Sequence, residues 1–295
     1  MPKQRSMISF DWAIKRLLRQ KANFEVLEGF LSELLHREIA IKSIGEGEGN
    51  TSAPGDKTNR VDMLVEADGH ELVIIELQFQ SEYDYYRRML FGVSKAITDY
   101  MHKGDPYSNV RKVYSIHIVY FKLDGDDYIY HGVTRFKGVN THTELQLTDA
   151  QKLMYKKDIV GDLHPEYYII SLKGFNDVAK NTVDEWVYYL KNNKIEDTFT
   201  ARGLGKARRI LWYDKLSEAE QRSYDHALDN RLSEESAIFT NRLEGRLEGR
   251  AEAKAEAEAE KREIARNLKA SGVAIEIIAS ATGLSAAEIE GLDKD

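Results

Sequence analysis

At 295 residues the chain is long enough for one sizeable domain with an appendage, or for two small domains, and a single core spanning all of it is not expected. The absence of cysteine excludes disulfides, thiolate zinc sites and cysteine nucleophiles, and no run of eighteen apolar residues occurs, so a cytoplasmic protein outside the membrane is expected. The net charge of -7 argues against nonspecific nucleic-acid binding by the chain as a whole, because neutralising phosphates needs clustered Lys and Arg.

Two local clusters do qualify: Lys3, Arg5, Lys15, Arg16, Arg19 and Lys21 near the start, and Arg202, Lys206, Arg208 and Arg209 later. On helices, Lys15 with Arg19 and Arg202 with Lys206 would share faces through i, i+4 spacing. Each cluster reads equally well as a DNA contact or as a solvated basic face.

A short helix is predicted over Trp12 to Arg19. A second follows in NFEVLEGFLSELLH, where Phe24, Leu27, Phe30, Leu31, Leu34 and Leu35 form one apolar face. EIAIKSI reads as a strand, and GEGEGNTSAPGDKTN as a mobile loop. RVDMLVEA and ELVIIELQF read as two strands of a hairpin turning through Asp68-Gly69. Ser81 to His102 reads as a long helix ending at Lys103-Gly104-Asp105-Pro106. KVYSIHIVYF is a further strand, with Val113, Ser115, His117 and Val119 on one face. The order is helix, three strands, helix, strand, an α/β arrangement.

Beyond Phe121, DDYIYHGVTRF and EYYIISL look like strands, and VDEWVYYLKNN and LSEAEQRSYDHALDNRL like helices, the last with a capping box of Ser217 and Glu220. Residues 1–235 are expected to form one α/β domain and 236–295 a charged repeat helix with a terminal helical hairpin. From Arg242 to Ala257 the units RLEG, RLEG, RAEA, KAEA recur every four residues. Their Leu and Ala stripe lies between Arg and Glu stripes. That pattern suits pairing with a second copy, a homo-oligomer through the C-terminal helix, rather than a single exposed helix or an unfolded spacer. The end, GVAIEIIASATGLSAAEIEGL, has the outline of a helix-turn-helix with Ser285 and Glu288 capping its second helix. Glu288, Glu290 and Asp293 on that helix would repel a DNA groove, so packing or assembly is expected of it.

Alternation along LVIIELQF places Leu72, Ile74, Glu76 and Gln78 on one face. A carboxylate in so apolar a strand is costly to bury without a cation or donor, and Asp62 on the partner strand poses the same question. With a three-residue loop, Asp68-Gly69-His70, residue 67 pairs with 71 and Asp62 falls opposite Glu76. A two-residue loop would send Asp62 to the other face. Two convergent carboxylates suit Mg²⁺ or Mn²⁺, which can lower the pKa of a bound water and polarise a phosphodiester oxygen. The alternative is ion pairing, of Asp62 with Arg60 or a neighbouring arginine and of Glu76 with Arg87 or Arg88.

The spacing of Asp62 and Glu76-Leu77-Gln78, after a helix and before a long helix and strand, resembles the PD-(D/E)XK nuclease superfamily. More narrowly it resembles the recombination-promoting nuclease family, also described as PD-(D/E)XK nuclease family transposases. The stretches that carry the likeness are FDWAIKRLL, VLEGFLSELL, NRVDMLVE, IIELQ, DYYRRMLFGVSKAITDYMHKGDPYSNV, HPEYYII, the EGR-rich repeat and IASATGLSAAEI. They cover nearly the whole chain, though only the Asp and ExQ pair carries chemistry.

This resemblance implies a restriction-endonuclease-like core and a divalent-metal DNA endonuclease that hydrolyses phosphodiester bonds in recombination or mobile DNA. Asp62 and Glu76 would be the metal ligands, for Mg²⁺ or Mn²⁺, and Gln78 stands at the superfamily's lysine position. An amide can orient a water but cannot serve as a base near neutral pH. Asp11, Lys15, Arg88, Ser94 and Lys95 are accessory candidates, and Lys15, Arg19, Arg202 and Lys206 are candidates for contacting DNA. The other reading is a catalytically weak or inactive nuclease-fold protein that binds DNA or assembles. No P-loop pattern is present, which speaks against an ATP-driven recombinase.

Overall fold

In the computed structural model, residues 7–45, 62–67 and 70–292 are described. The glycine-rich stretch after β1 lies outside them, as do Arg60, Asp68 and Gly69. The chain divides into two compact units, Met1–Gln221 and Arg222–Asp295.

The first unit opens with helices α1 (Phe10–Arg16) and α2 (Phe24–Leu34). On α2, Phe24, Leu27, Phe30, Leu31 and Leu34 are buried as the apolar periodicity requires, and Val26 joins them. Helix α1 starts two residues earlier than expected and stops at Arg16, so Arg19 lies in the turn beyond it.

Strands β1 (Ile41–Gly45), β2 (Met63–Ala67) and β3 (Glu71–Gln78) form an antiparallel meander. Helix α3 (Tyr85–Asp99) then crosses over to β4 (Val113–Val119), which lies parallel to β3. A parallel pair needs such a crossover, because a tight turn cannot return the chain to the same end of the sheet. Next come β5 (Ile129–Gly132), α4 (Asp149–Tyr155) and β6 (Glu166–Ser171), and the sheet order is β1-β2-β3-β4-β6-β5. Helices α5 (Thr182–Asn192) and α6 (Leu204–Ile210) follow.

Every residue of β3 and β4 is buried, as central strands between two covering layers must be. Against one face, Leu72, Ile74 and Val113 pack with Val93 and Ala96 of α3. Phe10 of α1, Phe30 of α2, and Trp186 and Tyr189 of α5 interlock in edge-to-face and tilted pairs, with ring centroids 5.4–6.3 Å apart.

The contact of α2 with the turn before α6 depends on glycine. A Cβ on Gly29 would overlap the carbonyl of Arg202 and come within 2.6 Å of the Gly203 Cα, and Gly203 itself has φ +84°. Glu33 of α2 closes the same joint, accepting from the Arg202 amide at 2.9 Å and from the Thr182 hydroxyl at 2.5 Å. Gly29→Ala is therefore expected to push these backbones apart at a cost of about 1–3 kcal/mol, lowering the melting temperature by roughly 2–12 °C in calorimetry. An unchanged melt would contradict this tight packing. The same geometry corrects the face assigned to Arg202 and Lys206: α6 begins only at Leu204, so Arg202 precedes the helix.

In the second unit the charged repeat belongs to one continuous helix, α7 (Glu218–Ala270), which passes through Gly245 and Gly249 without a break. Its start carries the expected capping box, with the Ser217 amide donating to Glu220 at 2.8 Å and the Glu220 amide to the Ser217 hydroxyl at 3.4 Å. The predicted boundary at Ser236 thus falls inside a helix, because Ser and Glu residues there offer nothing to stop it. The end of α7 packs Ala265 against Ile278 of α8 (Ile275–Thr282) and Ile289 of α9 (Ala286–Gly291). Gly283, at φ +74°, turns the chain between the two short helices, and Ser285 and Glu288 cap α9 reciprocally.

Candidate active site

The β2–β3 register decides where the two acidic residues stand. Ala67 pairs with Glu71 and Met63 with Ile75, so three residues separate the strands and the next pair outward is Asp62 with Glu76. His70, the last residue of that loop, is left-handed at φ 63°, as the third position of a three-residue hairpin commonly is. The odd-length turn is the one present.

Asp62 stands just beyond the end of β2, where cross-strand pairing stops, and its side chain takes over that role. Its Oδ2 accepts from the Leu77 amide at 2.7 Å, and its Oδ1 lies 3.0 Å from the Lys15 ammonium on α1. Arg19 donates to the Asp62 carbonyl at 2.7 Å. Lys15 and Arg19 therefore converge on one residue, although they do not share a helix.

Glu76 is 8 % exposed and follows four apolar residues, Leu72 to Ile75, in its strand. Its Oε1 lies 3.3 Å from Arg88 of α3, and its Oε2 lies 3.5 Å from Nδ1 of His117 on β4. Burial pushes the Glu76 carboxyl above its ordinary pKa; Arg88 opposes the rise, while Asp62 and Glu82 add to it. Gln78, two residues on, donates to the Gln80 carbonyl at 2.8 Å and to Glu82 at 3.1 Å, and accepts from Arg88. Arg88 also pairs with Glu82 at 2.7 Å. These bonds hold residues 80–82 against the strand end, which is why α3 begins at Tyr85 and not at Ser81 as its composition suggests.

The structure thus brings Asp62, Glu76, Gln78, Lys15, Arg19 and Arg88 together at the C-terminal end of β3. Other candidates are engaged elsewhere. Ser94 donates to the Leu90 carbonyl of its own helix, and Lys95 pairs with Asp99 at 3.0 Å. Asp11 lies in the first turn of α1, a favourable place for a carboxylate at a helix start. Arg202 pairs with Glu38 at 2.9 Å, and Lys206 approaches Glu25 at 3.9 Å.

Glu82 and His117 also belong to the cluster, and no local pattern in the sequence marks either of them. The parallel register pairs Glu76 with His117, a relation invisible without knowing that β3 and β4 are neighbours. Burial, and secondarily Arg88, depresses the His117 pKa to about 3, so its imidazole is neutral. Tyr85 packs edge-on against it at 5.8 Å, its hydroxyl pKa raised by burial.

The PD-(D/E)XK nuclease family transposase model matches residues 8–241. The chain belongs to that family. It is therefore a nuclease-fold protein of a lineage linked to mobile DNA, and PD-(D/E)XK nucleases generally use divalent metals. No curated protein and no solved structure matches the chain. No helix among the described residues is long and apolar enough to cross a membrane.

The residues present fit a hard divalent cation. Continued one residue beyond Met63 and Ile75, the register sets Asp62 opposite Glu76, and Asp62 raises the pKa of Glu76 through a repulsion that a cation would relieve. Among the described residues no group of three or more His, Cys, Asp or Glu could hold a metal. Two carboxylates would leave the remaining positions of such a cation to water and phosphate.

Proposed function

We propose that this family member is a divalent-metal-dependent DNA endonuclease that hydrolyses phosphodiester bonds, with Asp62 and Glu76 holding Mg²⁺ or Mn²⁺. The observation that carries the reading is the odd-length β2–β3 register, which, continued one residue past Met63 and Ile75, sets Asp62 opposite Glu76 near the end of a buried strand. The ion, when bound, lowers the pKa of a water and withdraws charge from a phosphodiester oxygen. Lys15, 47 % exposed beside Asp62, supplies positive charge to the phosphate, and Arg19 adds to it from the adjoining turn.

Gln78 has both amide hydrogens engaged, by Gln80 and Glu82, and one lone pair taken by Arg88. Its second lone pair is left to accept a hydrogen bond from a water, so Gln78 orients the attacking molecule without acting as its base. Arg88 holds Glu76, Gln78 and Glu82 in one geometry. Arg202 and Lys206 are separate candidates for contacting DNA, because their surface ion pairs with Glu38 and Glu25 are weak enough for phosphate to replace. The test is nicking of supercoiled plasmid by the full chain with Mg²⁺, Mn²⁺ or EDTA: cutting that requires the metal supports the reading, and cutting in EDTA contradicts it.

A second reading, a nuclease-fold protein that binds DNA without cutting, draws support from the Gln78 amide hydrogens, both already engaged, and from cations already seated on both carboxylates. DNA binding with no cutting under any metal condition would favour it.

The same reading extends to assembly as a homo-oligomer. Phe239, Leu243 and Leu247 recur every four residues on α7 and are 45–69 % exposed, flanked by the Arg and Glu stripes. A second copy would cover them and match those charges. Leu243→Lys with Leu247→Lys is expected to lower the mass seen by light scattering to that of one chain. An unchanged mass would exclude this helix as the contact.

A further inference from the structure

His117 is 1 % exposed at the centre of β4, a place where an imidazole is costly unless both nitrogens are used. Its Nε2 lies 2.7 Å from the Ser115 hydroxyl, also buried. Its Nδ1 has no hydrogen bond within ordinary limits, yet it faces Glu76 Oε2 at 3.5 Å, a gap that a small rotation of the carboxylate closes. Two tautomers are available. With the proton on Nε2, the Nδ1 lone pair would confront a carboxylate oxygen in a dry interior. With the proton on Nδ1, that N–H is aimed at Glu76, and the Ser115 hydroxyl donates to Nε2. Only the second satisfies every group.

We propose that His117, oriented by Ser115, is a positioning residue that donates Nδ1–H to the inner oxygen of Glu76 and leaves the outer oxygen free for a divalent cation. The two oxygens of Glu76 are not equivalent. Oε2 is held from inside the sheet layer by a neutral ring. Oε1 is held from the α3 side by Arg88, whose partly exposed side chain has Glu82 and Gln78 as alternative partners. A cation displacing Arg88 from Oε1 would leave the His117 contact in place, so the carboxylate presents a fixed lone pair instead of a rotating one. An orienting partner of a metal ligand typically contributes 10–100-fold in metal affinity.

The inference rests on the metal-site reading above, and the test separates the two. In histidine-¹⁵N-labelled full-length protein without metal, the long-range ¹H–¹⁵N spectrum of His117, identified by its loss in His117→Gln, is expected to show a protonated Nδ1 and a bare Nε2. An Nε2–H tautomer overturns the proposal whatever the protein does with metal. Mn²⁺ binding by calorimetry then compares two isosteres. An Asn amide nitrogen falls where Nδ1 lies, and a Gln amide falls near Nε2. His117→Asn is expected to stay within about threefold of wild type, while His117→Gln loses about 10–100-fold. Equal affinities in the two variants overturn the proposal, because a merely structural role would not distinguish the nitrogens. If the wild type binds no Mn²⁺, the metal reading fails and the tautomer alone decides whether His117 holds Glu76.

Discussion

The Glu76→Gln protein is expected to lose metal-dependent cleavage by at least about a hundredfold and, in EDTA at pH 7, to melt at a higher temperature than the wild type. The loss follows from removing a metal ligand, which costs more than the 10–100-fold typical of residues that only support one. The gain follows from linkage. Burial raises the folded-state pKa of Glu76 above its ordinary value of 4.5, and repulsion from Asp62 and Glu82 adds to the rise. Between the unfolded and folded pKa values the unfolded chain holds fewer protons than the native one, so stability falls as pH rises through that window and stays lowered above it. Glutamine keeps the shape and the contact with Arg88 but has nothing to ionise. Thermal melts of both proteins across pH 4–8 should diverge as the pH rises. A variant less stable than wild type at pH 7 would show that Arg88 outweighs the burial of the charge.

The largest loss of stability is expected from Trp186→Ala. The indole is fully buried, packs against Phe10, Phe30 and Tyr189, and donates to the Arg202 carbonyl at 3.0 Å. Truncation empties the middle of the aromatic cluster and removes the donor from a carbonyl that Gly29 has been kept small to admit. Large aromatic-to-alanine changes in cores cost about 3–5 kcal/mol, here a fall of roughly 6–20 °C in melting temperature. Trp186→Phe should recover most of the packing but not the hydrogen bond. If Trp186→Ala melts within about 2 °C of wild type, the cluster is not the organiser of α1, α2 and α5.

What could be read from the chain follows from the range of the forces involved. Apolar spacing placed α2, β3 and β4 closely because each is an element that buries a face, and local hydrogen bonding identified the Ser217 and Ser285 caps. Asp62 and Glu76 were legible as a pair only through a parity condition on the hairpin, and the register meets it. Relations that depend on neighbours distant in sequence were not legible. His117 meets Glu76 through parallel pairing across a crossover, and Lys15 meets Asp62 from a different layer.

Composition alone predicts helix from Ser81, because nothing in it reveals that Gln78 and Arg88 hold Gln80 and Glu82 against the strand end. The tail shows the converse. Its low-complexity charge pattern marks a helix and Ser217 with Glu220 marks a helix start upstream, but nothing in the residues between shows that the two are one continuous helix.

Whether Asp62 and Glu76 act as one metal-dependent centre is tested most directly by plasmid nicking by Asp62→Ala and Glu76→Ala, each compared with wild type in Mg²⁺ and in Mn²⁺. Both variants are expected to be folded by circular dichroism and to leave supercoiled plasmid intact where wild type cuts it. Metal-dependent cutting that survives both substitutions would contradict the assignment.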